Sequence, residues 1–243
     1  MTVRNGKTAK NERKNAPLTG AGPGIRVIRD GPYRVSGSIP LADQIIVRDA
    51  EGFSSGWREG KDYPVEEEYS LCRCGNAKTA PFCDGSHGCG RNDMTETAPQ
   101  KACPEGAYGF EGPFLSLADC TPLCASAKFC DRAGGIWNLT VNPDSTDAES
   151  IAITEAGNCP SGRLVIRNTG REDPIEPHVE PSIGLIEYPK NAGKGPVWVR
   201  GRIPVESADG KRYAVRNRVT LCRCGRSANK PFCDSSHVEM LKK

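Results

Sequence analysis

Apolar positions in this chain come in short runs, and the pattern changes before a long element can form. Tyr33–Ile39 and Val197–Ile203 alternate apolar with polar side chains, are rich in β-branched residues, and each stops at a proline, Pro40 or Pro204. A period of two puts successive side chains on opposite faces, so both stretches are predicted strands. Val65–Leu71 and Tyr213–Thr220 are predicted as further short strands, each leading into cysteines. IWNLTV (136–141) and RLVIRN (163–168) are read as strands in the middle of the chain. SLADCTPLCASAKFCDRAGG (116–135) predicts a short helix with Thr121 as N-cap, Pro122 at N1 and Gly134 as the stop. The Pro- and Glu-rich stretch from Gly170 to Gly195 reads as a linker. The predicted fold class is mainly β with short helices.

The pattern also repeats. LCRCGNAKTAPFCDGSH (71–87) and LCRCGRSANKPFCDSSH (221–237) agree at 11 of 17 positions without a gap. Upstream, GPYRVSGSIPL (31–41) and GPVWVRGRIPV (195–205) agree at 6 of 11. Ile39 precedes Cys72 by 33 residues, whereas Ile203 precedes Cys222 by 19, so the first copy carries a 14-residue insertion somewhere around Ile45 to Pro64. Two copies in one chain predict a fused dimer with a pseudo-two-fold axis, because each half alone is too short to bury a good core. The boundaries read as a basic, disordered tail over 1–24, a first repeat over 25–87, a central segment over 88–170, a linker over 171–194 and a second repeat over 195–243.

Composition narrows the chemistry. A formal net charge of +3 is too small to argue for nucleic acid. No run approaches the ~18 apolar residues of a membrane span, and the first twenty residues lack a signal peptide's apolar core. A cytoplasmic protein is expected, in which twelve cysteines serve metal or redox chemistry rather than a disulfide scaffold. There are only three histidines, His87, His178 and His237. The first and last close the two cysteine motifs. His178, between Pro177 and Val179, is read as a surface residue.

Each motif reads C-x-C-x8-C-x3-H. Cys72 and Cys74, two apart in extended chain, can present thiolates on one side with Arg73 turned away. Pro81 to Asp84 reads as a turn into a short helix with Asp84 as cap, and on that helix Cys83 and His87 share a face at i and i+4. Cys222, Cys224, Cys233, His237 and Asp234 repeat the arrangement. Two pairs suit the two irons of a 2Fe-2S core. A tetrahedral zinc site of three cysteines and one histidine is the competing reading, although C-x-C is tight for zinc.

At these residues the chain resembles the CDGSH iron-sulfur family, whose familiar member is mitoNEET and whose pattern is C-x-C-x2-[ST]-x3-P-x-C-D-G-[SAT]-H. The first copy departs from it only with Ala77 at the Ser/Thr position; the second keeps Ser227 but has Ser235 where the family has glycine. The resemblance favours iron-sulfur over zinc. It implies two 2Fe-2S clusters, one on Cys72, Cys74, Cys83 and His87 and one on Cys222, Cys224, Cys233 and His237. It also implies an interleaved β-cap above them and a monomer of pseudo-dimeric architecture.

Charge explains the histidine. An oxidised core of about +2 with three thiolates and a neutral imidazole totals about −1, against about −2 for four thiolates, so reduction is easier. Imidazole is also the ligand for which a proton competes. Electron transfer with a redox partner protein is the expected role, and delivery of the cluster to an apo iron-sulfur acceptor is the alternative. No nucleophile–base constellation, GxGxxG or P-loop argues for an enzyme. Six cysteines stay outside the motifs: Cys89, Cys103, Cys120, Cys124, Cys130 and Cys159. They are read mainly as small buried apolar residues, with a further metal site or a disulfide as alternatives.

Overall fold

The computed structural model describes residues 22–89, 93–100, 107–189 and 193–240. Almost all of the predicted tail, residues 1–21, lies outside them, as do Cys103 and the side chain of Cys89.

The first repeat supplies β1 (Gly24–Val27), β2 (Tyr33–Ser36), β3 (Leu41–Arg48), β4 (Ser54–Tyr63) and β5 (Glu68–Leu71). The middle supplies β6 (Tyr108–Glu111), β7 (Leu115–Asp119), α1 (Ile136–Val141), α2 (Ala148–Asn158) and β8 (Leu164–Asn168). The second repeat supplies β9 (Ser182–Glu187), β10 (Lys194–Arg200), β11 (Val205–Glu206) and β12 (Arg218–Leu221).

One sheet runs β11-β1-β2-β5 and another β12-β10-β9-β3-β4. Equivalent strands therefore occupy equivalent places, except that each repeat lends its third strand to the other sheet. β11 pairs parallel with β1, Ile25 opposite Val205, and β3 pairs parallel with β9, Leu41 opposite Ile183. The repeats are interleaved, as duplication of an intimate dimer predicts. A single core crosses the pseudo-two-fold, with Ile25, Tyr33, Val35 and Leu71 from one copy and Ile183, Val197, Val199 and Leu221 from the other. Fully burying an aliphatic side chain of this size stabilises by roughly 1.5–3 kcal/mol, so the exchange makes each copy's stability depend on its twin.

The crossing is made at a glycine in each copy. Gly37 and Gly201 have φ of 89° and 75°. A Cβ on Gly37 would lie 2.6 Å from Pro23 Cα, and one on Gly201 2.5 Å from Pro181 N. Only glycine combines that backbone with that approach, which accounts for its place in both blocks.

The 14-residue insertion is the long hairpin β3–β4. Its strand β4 has no counterpart in the second copy, where β11 turns back after two residues. Trp57 on β4 stacks on Trp198 of β10 and on Phe129, at centroid distances of 4.6 and 4.9 Å, and its Nε1 donates to Asn158 O. The insertion thus fastens the middle segment to the second sheet.

The middle segment forms a third sheet, β6-β7-β8, with α1 and α2 packed on it around Leu115, Leu117, Ile136, Leu139, Ala152, Leu164 and Ile166. Three expectations change here. IWNLTV is a helix: Ile136, Leu139 and Thr140 are its buried residues, the i, i+3, i+4 spacing of a helical face. The helix expected from Thr121 to Gly134 is two 3-10 turns, Thr121–Leu123 and Phe129–Gly134. Extended Cys124 and left-handed Ser126 and Lys128 separate them, and Cys120 rather than Thr121 stands at the N-cap. The stretch read as a linker carries β9, a central strand buried along Ile183–Ile186. Proline at its entrance and glutamates outside it hid a four-residue apolar run.

Candidate metal centres

Each motif begins as a strand and folds back on itself. β5 delivers Cys72, whose N–H donates to Pro81 O, while Cys83 N–H donates to Ser70 O. β12 delivers Cys222 in the same way, bonded to Pro231 O, with Cys233 bonded to Thr220 O. These ladder bonds bring the far cysteine of each motif beside the near pair.

The eight candidate residues come together as four pairs. Cys72 Sγ lies 3.7 Å from Cys74 Sγ, and Cys83 Sγ lies 3.1 Å from His87 Nδ1. In the second motif the distances are 3.8 Å for Cys222–Cys224 and 3.4 Å for Cys233 Sγ–His237 Nδ1. Among the described residues no three of His, Cys, Asp or Glu gather closely enough to hold one metal ion. Arg73 is turned away, as expected: Nε donates to Gly31 O and Nη2 to Ile28 O.

The short helices are 3-10 turns, Ser86–Cys89 and Ser236–Met240, and begin after the cysteines. The Cys–His pairing therefore comes from the turn before the helix rather than from a helical face. Asp84 builds that turn, accepting from Lys78 N and Ser86 N, and these bonds with the Ser86 side chain hold its carboxyl down at about 2. Asp234 does the same with Ala228 N and Ser236 N. Burial opposes its ionisation, but the Ser236 hydroxyl and the backbone N–H groups keep its carboxyl below the ordinary range.

Burial and backbone donors pull the cysteines in opposite directions. Burial raises the thiols of Cys74, Cys83 and Cys233, and each also faces a backbone N–H, from Asn76, Gly85 and Ser235 respectively, that favours the anion. Cys222 is brought down to about 6, first by a hydrogen bond from Cys224 and then by N–H groups of Ser227, Cys224 and Gly225. A metal takes over the work that these donors begin.

The two centres differ in access in opposite senses at their two edges: Cys74 is buried where Cys224 is half-buried. Cys83 and His87 are half-buried, while Cys233 and His237 are each 3% exposed. Tyr188 closes that edge of the second centre: its hydroxyl lies 2.8 Å from His237 Nε2 and 3.1 Å from Ala125 O. Donating to the carbonyl, it accepts from Nε2–H, which leaves the Nδ1 lone pair facing Cys233. Burial drops His237 to about 4. Tyr33, from the first repeat, reaches the second motif's backbone at Cys222 O (2.8 Å) and Pro231 O. The motif loops abut, since a Cβ on Gly75 would lie 3.2 Å from Cys224 Cα. Neither tyrosine stood out in the sequence. Tyr33 breaks the repeat, being aligned with Val197, and Tyr188 lies in the supposed linker.

Of the middle cysteines, Cys124, Cys130 and Cys159 are free thiols and Cys120 is disulfide-bonded. All three free thiols lie within electrostatic reach of Arg163. Burial works against its guanidinium, but Cys124, Asp119, Cys159 and Cys130 hold it above its ordinary value. Arg163 Nη2 is bonded to Asp119 at 3.0 Å. Ser126 N–H points at Cys124 Sγ. Burial and the neighbouring Asp131 push the Cys130 thiol up. His178 is a surface residue, 90% exposed and bonded to Glu180. Among the described residues no helix is long and apolar enough to cross a membrane.

Residues 30–88 and 194–238 match the family model described as iron-binding zinc finger, CDGSH type. Residues 110–169 match one described as divergent 4Fe-4S mono-cluster. No curated protein and no solved structure matches the chain. The chain thus carries two CDGSH-type iron-binding units with a stretch matching an iron-sulfur domain between them, and these matches support iron-sulfur cluster binding.

Proposed function

We propose that the chain holds two 2Fe-2S clusters, on Cys72, Cys74, Cys83 and His87 and on Cys222, Cys224, Cys233 and His237, and that it carries single electrons between protein partners. The observation that carries this reading is the pairing: two sulfurs on one side and a sulfur and an imidazole nitrogen on the other, in both motifs. Two pairs address two irons, whereas one zinc needs all four side chains around one point. When bound, such a cluster accepts and returns one electron. The chain's part is to present the first cysteine of each motif from a strand end and the Cys–His pair from a turn, to aim backbone N–H groups at the sulfurs, and to bury the Cys233–His237 edge of the second centre. The close approach of the two motif loops at Gly75 and Cys224 supports passage of electrons through the molecule.

The middle segment supports a third iron-sulfur site using Cys124, Cys130 and Cys159, the free thiols within electrostatic reach of Arg163 in the region that matches a 4Fe-4S domain. The runner-up function, donation of a cluster to an apo-acceptor, is favoured by one observation, the half-exposed Cys83–His87 edge of the first centre.

Iron, sulfide and zinc per chain, measured with the visible and electron paramagnetic resonance spectra, test the reading. About four irons belong to the two terminal motifs, and any excess to the middle. A colourless, zinc-loaded protein overturns it. Mixing the loaded protein with an apo-ferredoxin separates the roles: rapid reversible reduction without transfer supports the carrier.

A further inference from the structure

Ser235 stands where the first motif has Gly85, and the backbone there is left-handed in both, with φ of 76° and 87°. A side chain at such a position strains the backbone, a cost that glycine avoids. The serine's use is visible in its contacts. Its hydroxyl donates to Cys124 O at 2.7 Å, and its N–H faces the Cys233 thiolate. One residue therefore touches a sulfur of the second motif and the backbone of a middle cysteine. Tyr188 makes the same connection one residue further along, between His237 Nε2 and Ala125 O. Asn229 Nδ2 adds a third tie to Pro122 O. The first motif has glycine in place of this serine.

We propose that Ser235 and Tyr188 are positioning residues that join the second motif and the middle cysteine loop into one coupled metal-binding unit, so that filling either site tightens the hold of the other. The proposal rests on the reading of Cys124, Cys130 and Cys159 as an iron-sulfur site. Order in the loop carrying Cys124 and Ala125 fixes two carbonyls. Those carbonyls hold the hydroxyls of Ser235 and Tyr188, which fixes the Ser235 N–H facing Cys233 and the His237 tautomer. Coupling of this kind is a free energy shared by the two sites, not a property of either.

The test uses the full chain carrying Cys83→Ser, which disables the first motif. Iron and sulfide are counted, and iron release to bathophenanthroline is followed together with the visible circular dichroism of the cluster left on Cys222–His237. Replacing Cys130 and Cys159 together by serine is expected to lower the iron count and to speed release from the second motif several-fold. Ser235→Gly and Tyr188→Phe are expected to speed that release with the middle iron still bound, and to change the dichroism before chelator is added. Ser235→Gly relieves the left-handed backbone as it removes a hydrogen bond, two effects of opposite sign and similar size. Its melting temperature should stay near the parent's, so faster release is not general unfolding. A lower iron count in the double serine variant, with release from the second motif unchanged there and in Ser235→Gly, overturns the coupling alone. An unchanged iron count in the double variant shows that the middle holds no iron, which removes both the middle site and the coupling.

Discussion

Glu155, on α2, is 1% exposed, and its burial outweighs the favourable pull of Arg132. Burial raises its carboxyl from 4.5 to about 8. The folded chain thus keeps a proton that the unfolded chain gives up in that interval, and stability falls as pH rises from about 4.5 to about 8. Glu155→Gln removes the ionisation while keeping the shape. Its melting temperature should exceed the wild type's at pH 8 and above and approach it near pH 5; a constant difference across that range would show that the carboxyl does not titrate there. Ser227 is the opposite kind of residue. Its hydroxyl donates to Phe232 O and accepts from Asn229 N inside the second motif. Ser227→Ala should cost about 1–3 kcal/mol in chemical denaturation, because it strands buried polar groups. At this scale the sequence was most legible. The eight candidate ligands were readable from spacing because each motif is local, a strand, a turn and a 3-10 helix within seventeen residues. Tyr33 and Tyr188 were not, because their partners lie 189 and 49 residues away and no local pattern encodes such a contact.

Among elements, local patterning succeeded where one face is buried and failed where tertiary context decides. β2 and β10 were readable from alternation within a few residues of their ends, whereas β9, buried on both faces, has no alternation to read. The loop from Cys120 to Gly135 imitates a helix by composition. Left-handed φ at Ser126, Lys128 and Ala133 breaks it into two short turns. The hairpin β3–β4 looked like a mere insertion and is the dock for the middle segment. Trp57→Ala removes its ring contacts with Trp198 and Phe129 and its bond to Asn158. The expected loss is about 3 kcal/mol in global unfolding. Limited proteolysis should then cut first in the middle segment; cleavage beginning elsewhere would argue against the docking role.

For the whole molecule, strand exchange makes the two repeats one folding unit. The halves expressed separately, divided after residue 100, should each lack a complete sheet, the first missing β11 and the second missing β3. Mixed, they are expected to form a complex by size-exclusion chromatography and to regain a protected core in hydrogen exchange. A half that alone gives a sharp two-state transition as a monomer would overturn this. The duplication announced the pseudo-two-fold, but which strands change places follows from the left-handed crossings at Gly37 and Gly201.

One consequence of Tyr33 reaches beyond this fold. Its hydroxyl supports the loop of Cys222, and its counterpart Val197 has no hydroxyl with which to return the contact. Two identical chains cannot do this, since any change made for one site is imposed on the other. Joined in one polypeptide, the copies inherit independently, and natural selection can brace one loop without bracing its twin. Asymmetry of that kind is the licence that fusion grants, and Tyr33 is a place where this chain has used it.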